Sequence, residues 1–270
     1  VAAIPAAALL AAALTACTSS TATERRREAA DEATSPTPVS SPSPTVSTGD
    51  GTEATDGAAA GPTPAPTGSA RTRFAGRIST IPRALANEMR GTTWQPGCPV
   101  PIDALRLLRF NYRGFDGEVK RGPMVVNAAV AEDVLWVFER LFRAGFPLKR
   151  VGLAREFREA RLETHPDGHR SVTASFNCRV VVTPAGAGDE FSQHAYGLAV
   201  DVNPLQNPFV RSDGWVRNRF ARPYVDRSRH LPGMIHEGDV VVRAFAAIGW
   251  AWGGRWSGDV DYMHFSAVGT

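Results

Sequence analysis

The 270-residue sequence predicts an α+β domain over residues 73–270, preceded by a disordered tether. Three observations carry that expectation. All 23 aromatic residues (13 Phe, 6 Trp, 4 Tyr) lie beyond residue 72. Residues 18–72 hold 20 Ser/Thr, 7 Pro and 5 Gly but no Leu, Ile or Met, so they cannot bury enough apolar surface to offset the entropy of ordering. Beyond residue 72, helix-period and strand-period stretches follow one another without a regular βαβ rhythm, which favours α+β over a doubly wound sheet. The 198 residues from 73 onward suffice for a full core. The composition excludes a collagen, a coiled coil and a polytopic membrane protein.

The first element is an apolar run, residues 1–16, rich in Ala and Leu and short for a transmembrane helix. It ends in Leu14-Thr15-Ala16-Cys17, followed at once by polar residues. This resembles a bacterial lipobox, in which Cys17 is lipidated and becomes the new N-terminus. The alternative is an ordinary secretory signal cleaved near Ala16. No basic stretch stands between Val1 and the run, so translation starts either at Val1 or upstream of it. Both readings export the protein. The expected location is extracytoplasmic, on the membrane through Cys17 and facing the cell wall, or secreted on the second reading.

Residues 18–72 follow as the tether, with Ser41-Pro42-Ser43-Pro44 and Pro62-Thr63-Pro64-Ala65-Pro66 as its clearest repeats. Stretched out, such a segment spans on the order of 180 Å. As a relaxed coil it averages about 40 Å.

Charge divides at the same boundary. Residues 1–72 carry a net −3 and residues 73–270 a net +6. A basic exported domain suits anionic wall polymers. No basic helix or interleaved aromatic pattern supports nucleic-acid binding. With Cys17 assigned to lipid, Cys98 and Cys178 remain as an even pair in an oxidising compartment. They form either a disulfide or two buried thiols, and no C-x-x-C pairing points to zinc.

Within the domain, residues 73–93 form a lead-in with a short helix near 82–89, and 94–99 a turn. Residues 105–112 alternate as a strand, 113–117 turn, and 124–126 continue the sheet. Asn127 is placed to cap a helix over 128–144. There Val130, Val134, Val137, Phe138, Leu141 and Phe142 share a face, and Gly145 supplies the stop. A strand is expected over 149–155, irregular structure over 156–175, an apolar run over 176–182 and a strand over 197–202. Asp239 is placed to cap a helix over 240–248, and 250–252 and 263–265 are the last strands.

Three polar clusters interrupt these apolar stretches. They are Ser192-Gln193-His194-Ala195-Tyr196-Gly197-Leu198-Ala199-Val200-Asp201, then Asp261-Tyr262-Met263-His264-Phe265, and Phe176-Asn177-Cys178-Arg179. A catalytic zinc takes three protein ligands and keeps one position open. His194, Asp201 and His264 supply that count, and Asp261 supplies a carboxylate to act as base. Asp201 lies in an apolar strand pattern, where a carboxylate needs a cation or several donors. His165, His169, His230 and His236 lie in polar segments and are expected at the surface.

Taken together, S-x-H-x-x-G-x-A-x-D (Ser192, His194, Gly197, Ala199, Asp201) and D-x-x-H-F (Asp261, His264) resemble the zinc D-Ala-D-Ala carboxypeptidase and endopeptidase family, the VanY-like M15 peptidases. Trp252-Gly253-Gly254 and Trp256 are similar to the W-G-G-x-W that often precedes the second motif. The resemblance covers roughly residues 94–268. It implies a Hedgehog/DD-peptidase-like fold, a small antiparallel sheet flanked by helices. It also implies a zinc ion on His194, Asp201 and His264, Asp261 as catalytic base, and peptidoglycan stem peptides as substrate. Arg179, through F-N-C-R, is matched to the Arg that polarises the substrate carbonyl. Two features depart from the family pattern: Ser171-Val172 stand where an Asn-Asn pair is expected, and R-S-x-x-x-Q is absent.

Ser192 either binds substrate or holds its loop. Tyr196, Trp252, Trp256 and Tyr262 either line the cleft or pack in the core, with Tyr196 and Trp256 taken as substrate-binding candidates. A monomer is expected. The competing reading is a wall-binding lipoprotein that keeps the fold without turnover.

Overall fold

The computed structural model describes residues 73–158, 171–183 and 186–269. Cys17, the tether over 18–72, His165 and His169 lie outside the described residues.

The elements run in order as β1 (Gly76–Thr80), α1 (Arg83–Met89), β2 (Leu105–Arg113), β3 (Val119–Asn127), α2 (Ala131–Arg143) and β4 (Arg150–Val151). Next come a single helical turn α3 (Arg155–Arg158), β5 (Val172–Thr173), β6 (Val180–Thr183), β7 (Gly186–Phe191) and a second single turn α4 (Gln193–Tyr196). Then β8 (Ala199–Asp201), β9 (Phe209–Val210), α5 (Val240–Ala247), β10 (Ala251–Trp252), β11 (Val260–Asp261) and β12 (His264–Ser266) complete the set. Mixed helices and small, mainly antiparallel sheets make this an α+β fold, as the periodicities predict. Among the described residues no helix is long and apolar enough to cross a membrane.

β1, β2 and β3 form an antiparallel sheet in chain order, with Leu108 opposite both Ile78 and Met124. The β2–β3 ribbon is buried on both faces. Leu108, Phe110, Tyr112, Met124 and Val126 join the main core, whereas Leu105, Leu107 and Val125 turn to a second cluster with Met89, Phe176 and Cys178. Period-2 alternation produces this division directly.

The main core is closed by α2. Glu132 and Asp133 open that helix and Arg140 and Arg143 end it, matching the helix dipole at both ends. Its buried face is Val134, Val137, Phe138, Leu141 and Phe142, and the Phe138 ring stacks on Phe110 at 4.5 Å. The helix begins one turn later than the periodicity predicts. Residues Ala128–Val130 are 3-10, and the Asn127 side chain caps that turn by accepting from the Ala129 amide.

A second antiparallel sheet, β10-β12-β8, packs on the same core through Phe265, whose ring lies 4.2 Å from Phe245 of α5. Asp239 precedes α5 as expected but makes no cap with its side chain. Its carboxylate accepts instead from the His236 amide. The Cys98–Cys178 disulfide ties the loop ahead of β2 to the stretch ahead of β6.

One further expectation is corrected. The stretch 149–155 is a strand only at Arg150–Val151, because the chain turns at Gly152 and Leu153, whose amide is taken up by the Glu156 carboxylate. His230 is exposed as expected, and His236 is half-buried, with its Nε2 2.9 Å from the Arg229 carbonyl.

Candidate active site

The three candidate ligands come from three adjacent elements. Ser192 accepts from the His194 amide and so caps α4, the turn that carries His194. Gly197 ends that turn at φ 69°, and a Cβ there would stand 2.6 Å from the Asn127 amide nitrogen. A left-handed conformation and a close backbone approach both require glycine. The chain then enters β8 and reaches Asp201. β12 pairs antiparallel with β8 so that His264 is the register partner of Asp201.

Side-chain atoms of His194, Asp201 and His264 all lie within 4.8 Å of one another. Asp201 Oδ1 is 3.2 Å from His194 Nε2 and 3.2 Å from His264 Nδ1. The two imidazoles meet edge-on, with centroids 5.1 Å apart. His194 Nδ1 lies 2.8 Å from the Ser175 carbonyl oxygen, an acceptor only, so Nδ1 carries the proton. That leaves Nε2 as a lone pair facing a carboxylate oxygen, buried and without a hydrogen-bond partner. Two acceptors at such a distance are unfavourable unless a cation stands between them. The donor set therefore fits a divalent metal.

Asp261 ends β11, pairing with Phe209 of β9. Its Oδ1 is buried and unpartnered. Burial, reinforced by the nearby Asp201 charge, pushes its carboxyl up to about 7, against the opposing influence of His264, the Met263 amide and Arg179. Gly253 makes room for it, since a Cβ there would meet the Asp261 carbonyl oxygen at 2.6 Å. Arg179 is thus near enough to act on Asp261 electrostatically. It lies on the extended stretch 174–179, which runs along the ligand-bearing chain. Ala174 and Asp201 exchange backbone hydrogen bonds, the Asn177 amide donates to the His194 carbonyl, and the Ser192 amide donates to the Arg179 carbonyl.

The remaining candidates divide. The half-buried Trp256 ring lies 5.5 Å from His264, beside the site. Tyr196 is half-buried, and its carbonyl accepts from Asn127 Nδ2. Trp252 is core, stacked on Phe265, with its Nε1 donating to the Tyr262 carbonyl.

Sequence reasoning missed the supports. Ser175 orients His194 through a backbone carbonyl that any residue would supply, so its identity carries no signal. Asn203, at φ 46°, accepts from the Lys149 amide and donates to the Pro147 and Gly233 carbonyls. Asn207 accepts from the Ile235 amide and from Arg227, whose guanidinium lies 4.3 Å over the Tyr262 ring next to Asp261. These links fix the 203–235 stretch under the D-x-x-H turn. An Asn pair spaced four apart, just after a ligand strand, was the available signal.

Two imidazoles and a carboxylate thus converge as a cluster that could hold a metal ion, with a second, high-pKa carboxyl beside them. A family model described as D-alanyl-D-alanine carboxypeptidase matches residues 185–267, a stretch holding all three ligand candidates and Asp261. The M15 resemblance is borne out over that stretch. No curated protein and no solved structure matches the chain.

Proposed function

We propose that the chain is a zinc-dependent peptidase that hydrolyses peptide bonds in peptidoglycan stem peptides. The observation that carries this reading is the unpartnered His194 Nε2 facing Asp201, with the Asp261 carboxyl alongside. His194, Asp201 and His264 would hold the ion. Zinc, when bound, supplies the Lewis acidity that makes water nucleophilic near neutral pH.

The protein's own groups do the rest. Asp261, with a carboxyl pushed up to about 7, is poised to take a proton from the attacking water and return it to the leaving amine. Arg179 offers positive charge to the carbonyl oxygen as it becomes negative. Ser192 and the Ser175 carbonyl hold His194 at a fixed angle and tautomer. Trp256 and Tyr196 flank the substrate path. A lipid on Cys17 and the tether over 18–72 would keep the domain at the membrane and within reach of the wall. The lipobox-like string and the Pro/Ser/Thr-rich, aromatic-free composition support that placement.

The test is mass spectrometry of muropeptides incubated with residues 73–270. Release of a terminal D-Ala defines a carboxypeptidase. Cleavage within the stem or cross-bridge defines an endopeptidase. No product from any peptide refutes the enzyme and favours a wall-binding role.

A further inference from the structure

Among the described residues, five buried side-chain polar atoms have no hydrogen-bond partner: Glu156 Oε2, Asn177 Oδ1, His194 Nε2, Arg227 Nε and Asp261 Oδ1. Buried polar groups are almost always paired, so each needs a reason. Glu156 Oε2 is ion-paired with Arg150. Arg227 Nε belongs to a guanidinium whose other nitrogens bond Gln206, Tyr224, Asn207 and Ile235. His194 Nε2 and Asp261 Oδ1 belong to the metal centre and its base. Asn177 Oδ1 alone is unexplained.

Its position is informative. Phe176 and Cys178 turn into the second core cluster, so in extended chain Asn177 and Arg179 share the opposite face. The Asn177 amide nitrogen donates to the carbonyl of His194 at 3.0 Å, which sets the residue against the ligand turn. Two positions on, Arg179 is near enough to lower the Asp261 carboxyl. Same-face residues on an extended strand stand about 6–7 Å apart, close to the repeat of an extended peptide lying alongside.

We propose that Asn177 is a substrate-binding residue whose side-chain oxygen accepts a backbone N–H of the peptide adjacent to the scissile bond. The residue is half-buried, its side-chain oxygen takes no bond from the protein, and an extended peptide presents N–H groups at that repeat. The oxygen is unsatisfied in the free protein and becomes satisfied only with substrate in place. A substrate lacking that N–H leaves it buried and unpaired, which is how a polar site rejects an analogue.

This inference rests on the peptidase reading, and the experiment separates the two. Full-length protein, wild type and with Asn177→Ala or Asn177→Asp, is given a stem peptide and ester analogues in which one non-scissile N–H is replaced by oxygen. For one analogue, wild type is expected to lose about tenfold to a hundredfold in kcat/KM. Asn177→Ala should lose a similar factor on the peptide and treat peptide and ester alike, with metal content unchanged. Asn177→Asp, which keeps an acceptor of the same shape, should restore the preference for the amide. If Asn177→Ala folds, binds metal and discriminates as wild type does, the inference is overturned while the peptidase reading stands. Wild-type protein that cleaves no stem peptide overturns both.

Discussion

His194 Nε2 and Asp201 Oδ1 lie 3.2 Å apart with no proton available to join them, because the imidazole N–H is committed to the Ser175 carbonyl. The pair is arranged for a third, positively charged participant. Purified protein should therefore carry about one divalent metal per chain, and His194→Ala or Asp201→Asn should lose it. Metal at a hundred times its Kd adds about 2.7 kcal/mol to stability, so a chelator should lower Tm by roughly 5–10 °C. Metal analysis and thermal melts check both; a folded protein with neither metal nor a chelator response contradicts the centre.

Asp261→Asn should retain the metal and lower kcat about 10²–10⁴-fold, since the amide keeps the shape but cannot accept the proton. Parallel metal analysis and single-turnover cleavage distinguish this from loss of a ligand. Turnover near the wild-type level would remove Asp261 from the mechanism.

The same carboxyl sets a pH dependence in the metal-free protein. Its folded value, about 7, lies above the unfolded value of 3.8, so folding holds an extra proton between the two. Stability contributed by that proton is present below about pH 4 and falls as pH rises towards 7. Asp261→Asn should remove this slope, so that the metal-free variant is the more stable at pH 8 and not at pH 4. Chemical denaturation at the two pH values measures it.

Gly197→Ala should destabilise the protein by about 1–3 kcal/mol, from a left-handed residue that gains a Cβ facing the Asn127 backbone. Because Gly197 ends the turn bearing His194, metal affinity should fall with it. Titration with a chromophoric chelator, beside a denaturation curve, reads both.

Reducing the Cys98–Cys178 bridge, which spans 80 residues, should cost about 4 kcal/mol of stability in the chain-entropy picture. Because Cys178 stands between Asn177 and Arg179, activity should fall before the domain unfolds. Assays across a dithiothreitol series, with Cys98→Ser as the genetic equivalent, test this order of events.

The His194–Asp201–His264 cluster was legible in the sequence because its members lie in short local strings. The Asp201 strand betrays itself as a carboxylate in an apolar alternation, and His264 is fixed to it by β pairing. Helix α2 was legible for a similar reason, since its stripe repeats over three turns. β1 was not, because Gly76–Thr80 is a mostly exposed edge with little apolar alternation. β7, Gly186–Phe191, carries Gly, Asp and Glu in a hairpin with no apolar stripe at all. The Asn203 network escaped because its partners are far along the chain; Pro147 is 56 residues away. Pairings of that range have no local signature, and Asn177 was visible only as part of a motif until its unpaired oxygen could be seen.

The cross-strand pairing of Asp201 with His264 also bears on when the centre can come into being. His194 and Asp201 leave the ribosome together, but His264 follows 63 residues after Asp201. A growing chain that has made only the first two ligands cannot close the chelate. A metal would be captured only once β12 has zipped onto β8 in a single register, so assembling the centre and finishing the sheet would be one event.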